Sequence, residues 1–149
     1  MPEDIGRAIA LDVGDVRIGV AVSDPLGIIA QAHDVIQRRD TATDVEAVKA
    51  IVDGMGANKI VVGMPLNLQG QQGPQAQKVL AFIEALQAAV DVEIVTQDER
   101  FSTVSAERSL IQANVRRKKR KKVIDKVAAQ QILQVYLDRQ SAQKRNPNP

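Results

Sequence analysis

The residues best suited to chemistry are carboxylates on three separate segments of the chain: Asp12, the neighbours Asp98 and Glu99, and Asp125. The chain has no cysteine and one histidine, which excludes thiolate chemistry and sites built from several histidines. Oxygen ligands alone suit hard cations such as Mg²⁺ or Mn²⁺, which keep bound waters for a substrate phosphate. Two such ions, about 3.5–4 Å apart, would activate a water and stabilise the leaving oxygen of a phosphodiester. The three acidic segments therefore predict a two-metal site for phosphate chemistry.

Asp12 lies near the end of an apolar run, residues 7–13, that reads as a strand with two apolar faces. Such a strand is expected at the centre of a sheet that is covered on both sides. Alternation puts Asp12 on the face of Ala8 and Ala10, where a carboxylate is costly unless it is paired or liganded. Small neighbours leave space for an ion and a substrate. A turn aspartate ahead of Gly14 is the alternative, and the residues alone leave both interpretations open.

Asp98 and Glu99 follow a predicted strand over residues 92–96, at its carboxyl end. Ligands of open α/β sheets gather at the carboxyl ends of strands. Alternation puts the two acids on opposite sides, so we expect one of them to face the cleft. The residues alone do not choose between them, and an ordinary polar loop before a helix is the alternative.

Asp125 stands at the start of a predicted helix over residues 123–140. At about 100° per residue, it is nearly aligned with Ile132 and lies about 40° from Ala129. Both are apolar, so Asp125 is expected to face the sheet. The alternative is an acid favoured by the dipole at the helix N-terminus, which explains its place along the helix but not its face.

A concentrated basic run precedes Asp125 directly. The chain carries a net charge of +2, yet the part outside this run has 13 basic against 18 acidic residues. Such a block predicts a phosphate-binding surface, whereas a solvated loop or an anionic membrane contact is the alternative. Arg17 and Arg100 flank the predicted cleft and either hold phosphates or form surface ion pairs. The run consists of Arg116, Arg117, Lys118, Lys119, Arg120, Lys121 and Lys122.

The periodicity of the chain predicts the order β-β-β-α-β-α-β-α-α. Three strands with short links form an antiparallel meander, and later strands alternate with helices. The sequence therefore predicts an α/β fold with a mixed five-stranded sheet and helices on both faces, in one domain over residues 1–140. We expect a disordered tail over residues 141–149. The predicted strands are 7–13, 17–23, 28–36, 59–63 and 92–96, and the predicted helices begin at Thr43, Pro74 and Ser102 and at residue 123.

Four blocks of the sequence resemble the YqgF/RuvX family of pre-16S rRNA nucleases, also described as Holliday-junction-resolvase-like proteins. They lie in order between residues 7 and 138, nearly the whole chain. The resemblance implies a ribonuclease H-like fold and a metal-binding triad of Asp12, Glu99 and Asp125, and so favours Glu99 over Asp98. The blocks are residues 12–27 (DVGDVRIGVAVSDPLG), 61–67 (VVGMPLN), 98–103 (DERFST) and 124–129 (IDKVAA).

The resemblance also implies an activity: a metal-dependent endonuclease that matures the 5′ end of 16S rRNA during ribosome assembly. One alternative is a Holliday junction resolvase acting on branched DNA, which should be a symmetric homodimer. Another is a non-catalytic, rRNA-binding assembly factor. The expected partners are nucleic acid and the small ribosomal subunit precursor, with the protein a monomer or homodimer. No apolar run approaches 18 residues and no signal peptide is recognisable, so we expect no membrane partner and a cytoplasmic location.

Overall fold

The computed structural model describes residues 6–65, 70–98 and 117–145, without the side chains of 117–125 and 143–145. One sheet of five strands has the order β3-β2-β1-β4-β5. β1 is antiparallel to β2 and β2 to β3, whereas β1, β4 and β5 are parallel. The strands are β1 (Arg7–Val13), β2 (Arg17–Ser23), β3 (Ala30–Gln37), β4 (Ala57–Met64) and β5 (Glu93–Asp98), and the helices are α1 (Thr41–Met55), α2 (Pro74–Gln87) and α3 (Arg117–Arg145).

Helices cover both faces of this sheet, which confirms the predicted α/β architecture. On one face, Ile9 and Leu11 of the central strand pack in a core with residues of α1 and α2. On the other face, Ala8 and Ala10 pack under α3, whose Ile132 is fully buried. Burial of such a side chain contributes about 1.5–3 kcal/mol. The alanines on β1 let α3 lie close to the sheet, so the two faces are built from side chains of different size.

The structure begins α1 earlier than the sequence predicts. The capping-box pattern that begins at Thr43 predicts Thr43 as the N-cap. In the structure the helix starts at Thr41 and its N-cap is Asp40. The Asp40 carboxylate accepts hydrogen bonds from the backbone N–H of Thr43 at 2.8 Å and from its hydroxyl at 2.9 Å. An aspartate three residues earlier therefore takes the capping role.

The last helix differs from its prediction at both ends. It begins at Arg117, so the basic residues 117–122 belong to its first turns and not to a loop ahead of it. It ends at Arg145, so residues 141–145 of the expected tail are helical. The helix predicted from Ser102 lies outside the described residues. Among the described residues, no helix is long and apolar enough to cross a membrane.

Candidate metal and nucleic-acid site

Asp12 lies at the edge of the sheet where the parallel strands β1, β4 and β5 end. It is half-buried, on the face that α3 covers, as strand alternation from Ala8 and Ala10 predicts. Its register partner on β2 is Gly19. On the other side, Leu11 pairs with Val62, which puts Asp12 level with Gly63 of β4. Both neighbours of Asp12 at this level are therefore glycines, and the carboxylate has no side chain beside it on either adjacent strand.

Asp98 lies on the opposite face of the sheet from Asp12. It is the last residue of β5, and its register partner is Met64, which packs in the core against α1 and α2. The residue before it, Gln97, pairs with Gly63 and so shares the face and level of Asp12. The sequence left Asp98 and Glu99 as alternatives, and the register removes Asp98 from the face of Asp12. Glu99 lies outside the described residues.

Asp125 belongs to α3, about two turns after the helix begins at Arg117. The dipole of a helix acts within its first turn, so a dipole role at the N-terminus does not explain this acid. One turn further along, Ala128 and Ala129 are buried against the sheet in the same cluster as Ala10. The side chain of Asp125 is outside the described part. Among the described residues, no group of three His, Cys, Asp or Glu side chains could hold a metal ion.

The turn after Asp12 leaves no space for a side chain at its first residue. The backbone N–H of Gly14 donates to the carbonyl of Arg17 at 2.9 Å, closing the turn between β1 and β2. A Cβ on Gly14 would lie 2.9 Å from that same oxygen, closer than real Cβ atoms approach. By alternation, Arg17 shares the face of Asp12 and is its diagonal neighbour, about 7–8 Å away. The turn therefore brings a guanidinium to the side of the sheet that carries Asp12.

A buried ion pair supports this turn, and the sequence analysis did not single it out. Asp44, in the first turn of α1, is 1% exposed, and Arg38 donates to it at 3.0 Å. Arg38 also donates from Nη1 to the carbonyl of Gly14 at 3.0 Å. The sequence offers one signal for this pair, a basic residue just after a strand followed by an acidic residue at the start of a helix. That pattern is too common to identify an ion pair.

The other predicted phosphate-binding residues are only partly described. Arg100 and Arg116 lie outside the described residues. The backbone of residues 117–122 is helical, which puts the basic run and Asp125 on one continuous helix. A helix keeps fixed separations between its residues, about 1.5 Å of rise for each. The packing of Ala128 and Ala129 on the sheet therefore also sets the position of the basic run on the same helix.

A cavity of about 520 Å³ at the other edge of the sheet contains none of the predicted site residues. It lies where β1 begins, beside Ala8, and Lys59 is among its lining residues. Lys59 donates to the hydroxyl of Tyr136 at 2.8 Å and lies 3.9 Å from the carboxylate of Glu93. Its charge is thus already paired, and Asp12 lies at the opposite edge of the sheet.

Comparison with known proteins points to one family. The model of the family described as RuvX, Holliday junction resolvase, matches residues 6–139. A protein of Halothermothrix orenii is 52% identical over 135 residues, which cover 91% of this chain and 96% of that protein. A protein of Desulforamulus reducens is 54% identical over 132 residues, 89% of this chain and 96% of its own. Both bear the name "Putative pre-16S rRNA nuclease".

Two solved structures are similar in fold. Thermus thermophilus RuvC, bound to a Holliday junction, has a TM-score of 0.58 at 9% identity, covering 91% of this chain and 96% of that one. The fowlpox virus Holliday junction resolvase has a TM-score of 0.50 at 11% identity, covering 89% and 98%. At such low identity the likeness concerns the fold alone. It confirms the ribonuclease H-like fold that the sequence resemblance implied.

Proposed function

The chain belongs to the RuvX family, and on that premise we propose that it is a metal-dependent endonuclease that matures the 5′ end of pre-16S rRNA. The observation that carries the proposal is the environment of Asp12. Its carboxylate lies between Gly19 and Gly63 at the carboxyl edge of the sheet, on the face that α3 covers. A half-buried carboxylate whose level neighbours on both adjacent strands are glycines suits an ion and the phosphate it binds.

The donor chemistry of the proposed site fits hard cations. Asp12, Glu99 and Asp125 would supply oxygen ligands, and the chain has no cysteine to compete for a softer metal. Its one histidine, His33, is exposed on the edge strand β3. Bound Mg²⁺ or Mn²⁺, in two sites, would supply activation of water and neutralisation of charge on the phosphate. The chain itself has to hold the three carboxylates close together and orient the substrate strand.

Positive charge on two elements would orient that strand. Arg17 is a diagonal neighbour of Asp12 on the same face of the sheet. Residues 117–122 begin the helix that also carries Asp125. We assign to both the binding of backbone phosphates, together with Arg100 and Arg116. Binding through charge and shape is also favoured by the scarcity of aromatic residues, 2% of the chain, which leaves few platforms for base stacking.

The substrate is proposed from the relatives, whose names specify pre-16S rRNA. Its context would be the precursor of the small ribosomal subunit in the cytoplasm. The description of the family favours a second candidate, a Holliday junction resolvase. That activity requires two related cuts, so it predicts a symmetric homodimer on the junction, whereas rRNA processing is open to a monomer.

Cleavage assays with a matched pair of aspartate variants test the proposal. Wild type, Asp12→Asn and Asp15→Asn are incubated with a labelled RNA spanning the pre-16S 5′ end and with a mobile DNA four-way junction, in Mg²⁺, Mn²⁺ or EDTA. Asp15 is the control because it lies in the adjoining turn and makes an exposed ion pair with Lys78 at 3.1 Å. We expect metal-dependent cutting of the RNA that Asp12→Asn abolishes and Asp15→Asn retains.

The other outcomes discriminate between the candidates. Paired symmetric cuts in the junction, with no cutting of the RNA, would establish the resolvase instead. Wild type that binds RNA but cuts neither substrate, on naked RNA or on the precursor particle, would indicate a non-catalytic assembly factor. In that case Asp12→Asn should support ribosome maturation in cells as well as the wild type does.

A further inference from the structure

Gln97 is buried, and within the described part of the chain its amide nitrogen has no acceptor. The residue is 5% exposed, and Nε2 is the one buried side-chain polar atom without a hydrogen-bond partner among the residues that the structure describes. A buried donor left without an acceptor is destabilising, and native proteins hold few of them. A buried donor without an acceptor therefore needs a physical explanation. One explanation is that a bound ligand supplies the acceptor.

Two other glutamines between α3 and the sheet have acceptors for their amide nitrogens. Gln134 donates from Nε2 to the carbonyl of Ile28 at 3.0 Å and accepts from the N–H of Ala30 at 2.9 Å. Gln130 donates from Nε2 to the carbonyl of Ala30 at 3.1 Å. These amides join α3 to the start of β3. The unmet donor of Gln97 is therefore not a general property of glutamines packed in this layer.

The place of Gln97 in the sheet explains where its acceptor would come from. It pairs with Gly63, which is level with Asp12, so Gln97 and Asp12 share one face and one level with only a glycine between them. Strands lie about 4.8 Å apart, which puts the two backbones about 10 Å from each other. With bond lengths near 1.5 Å, a glutamine side chain spans about half of that distance. Gly63 has no side chain to obstruct that space.

We propose that Gln97 is a substrate-binding residue whose Nε2 donates a hydrogen bond to a non-bridging phosphate oxygen of the nucleic acid strand held at Asp12. The inference rests on the proposed nuclease function and extends it to a residue outside the acidic triad. Most protein hydrogen bonds to nucleic acid go to phosphate and sugar, and amide side chains supply many of them. An amide is suited to this position because it is neutral. A lysine there would pair with the carboxylates that are needed to hold metal.

Two substitutions of the same type separate a ligand-binding amide from a structural one. Gln97→Met keeps the length and volume of the side chain but removes both donors, and Gln134→Met does the same to an amide whose partners are in the fold. Each variant's melting temperature is measured without nucleic acid. The Kd for the labelled pre-16S RNA is measured in EDTA on an Asp12→Asn background, so that neither cleavage nor metal contributes.

For Gln97→Met we expect an unchanged or higher melting temperature together with a Kd that rises about tenfold or more, the effect of losing a hydrogen bond to a charged acceptor. For Gln134→Met we expect a lower melting temperature and an unchanged Kd. Gln97→Glu should weaken RNA binding further, because a carboxylate repels the phosphate.

A Kd for Gln97→Met equal to that of its background overturns the inference, whatever the melting temperature does. A fall in melting temperature like that of Gln134→Met also overturns it, since the amide would then be satisfied within the fold. Failure of the proposed function is recognised separately. In that case the wild type cuts neither the RNA nor the precursor particle, and this is known before any variant of Gln97 is compared.

Discussion

Arg38 and Asp44 form a buried ion pair, with Nε of Arg38 3.0 Å from Oδ2 of Asp44, that joins β3 and α1 to the turn after Asp12. The same guanidinium donates to the backbone carbonyl of Gly14. The backbone N–H of Arg38 donates to the backbone carbonyl of Val16 at 2.9 Å. The end of β3, the start of α1 and the β1–β2 turn are thereby tied together. The position of Asp12 thus depends on residues that lie on the far face of the sheet.

Asp44→Ala should destabilise the protein by about 3 kcal/mol, because it leaves the guanidinium of Arg38 largely buried without its partner. Chemical denaturation at pH 7 measures the free energy of unfolding. The control is Lys78→Met, which breaks the ion pair with Asp15, in which both side chains are 58% exposed, and should cost under about 1 kcal/mol. Equal losses in the two variants would show that the buried pair has no special role in the turn.

Gly14→Ala should lower the free energy of unfolding by about 1–3 kcal/mol and reduce nuclease activity. The added Cβ would meet the carbonyl of Arg17 at 2.9 Å, so the turn must open, and it connects Asp12 to Arg17. Gly54→Ala is the matched control. Nothing lies within 4 Å of a Cβ at Gly54, a helical residue of α1, so alanine there should be neutral or stabilise by up to about 1 kcal/mol. Full activity of Gly14→Ala would mean that the turn does not orient the site.

The sequence predicted the strands that carry the site because alternation and turns are local signals. β1 and β2 have the predicted bounds, and the face of Asp12 follows from the alanines beside it. The start of α3 was placed six residues too late for a physical reason. Its first residues, from Arg117, have no apolar periodicity, yet lysine and arginine are good helix formers and extend a helix whose packing occurs further along.

Gln97 and Arg38 could not be identified from the sequence, because what distinguishes them is tertiary. Gln97 reads as one polar residue in an edge strand, and only its burial and its register with Gly63 set it apart. Arg38 reads as a surface arginine until Asp44 is found beside it. The roles of Gln97 and Arg38 depend on contacts between elements that are distant in the sequence. A single sequence contains no local signal for such contacts.

Asp24→Ala should lower the melting temperature at neutral pH, and its difference from the wild type should shrink in acid. Burial raises the pKa of the Asp24 carboxyl, but hydrogen bonds from the backbone N–H groups of Ile29 and Ile28 outweigh it, so that this pKa lies below its usual 3.8. A carboxyl with a lowered folded-state pKa stabilises the fold fully above its unfolded-state pKa. That stabilisation is lost as the pH falls through the folded-state pKa.

Melting curves of the two proteins between pH 7 and pH 2 check this expectation. The difference should be constant above about pH 5 and should decline below pH 3.8, the usual pKa of the group. Asp24→Asn keeps an acceptor oxygen for the N–H groups of Ile28 and Ile29, so it should lie between the wild type and the alanine variant. A difference that stays constant down to pH 2 would contradict a role for the charged carboxylate in the loop.

Replacing Lys118, Lys119, Arg120 and Lys121 with glutamine should weaken nucleic-acid binding and flatten its dependence on salt. Each phosphate contact releases counterions, so the loss of four contacts should reduce the log–log slope by about 3 to 4 units. Glutamine is a good helix former, so α3 should persist, and circular dichroism checks that it does. Lys49→Gln is the control, because Lys49 lies on α1, on the other side of the sheet. An unchanged slope would show that the start of α3 is not part of the binding surface. An equal loss of slope per charge removed in the two variants would instead indicate attraction by net charge alone.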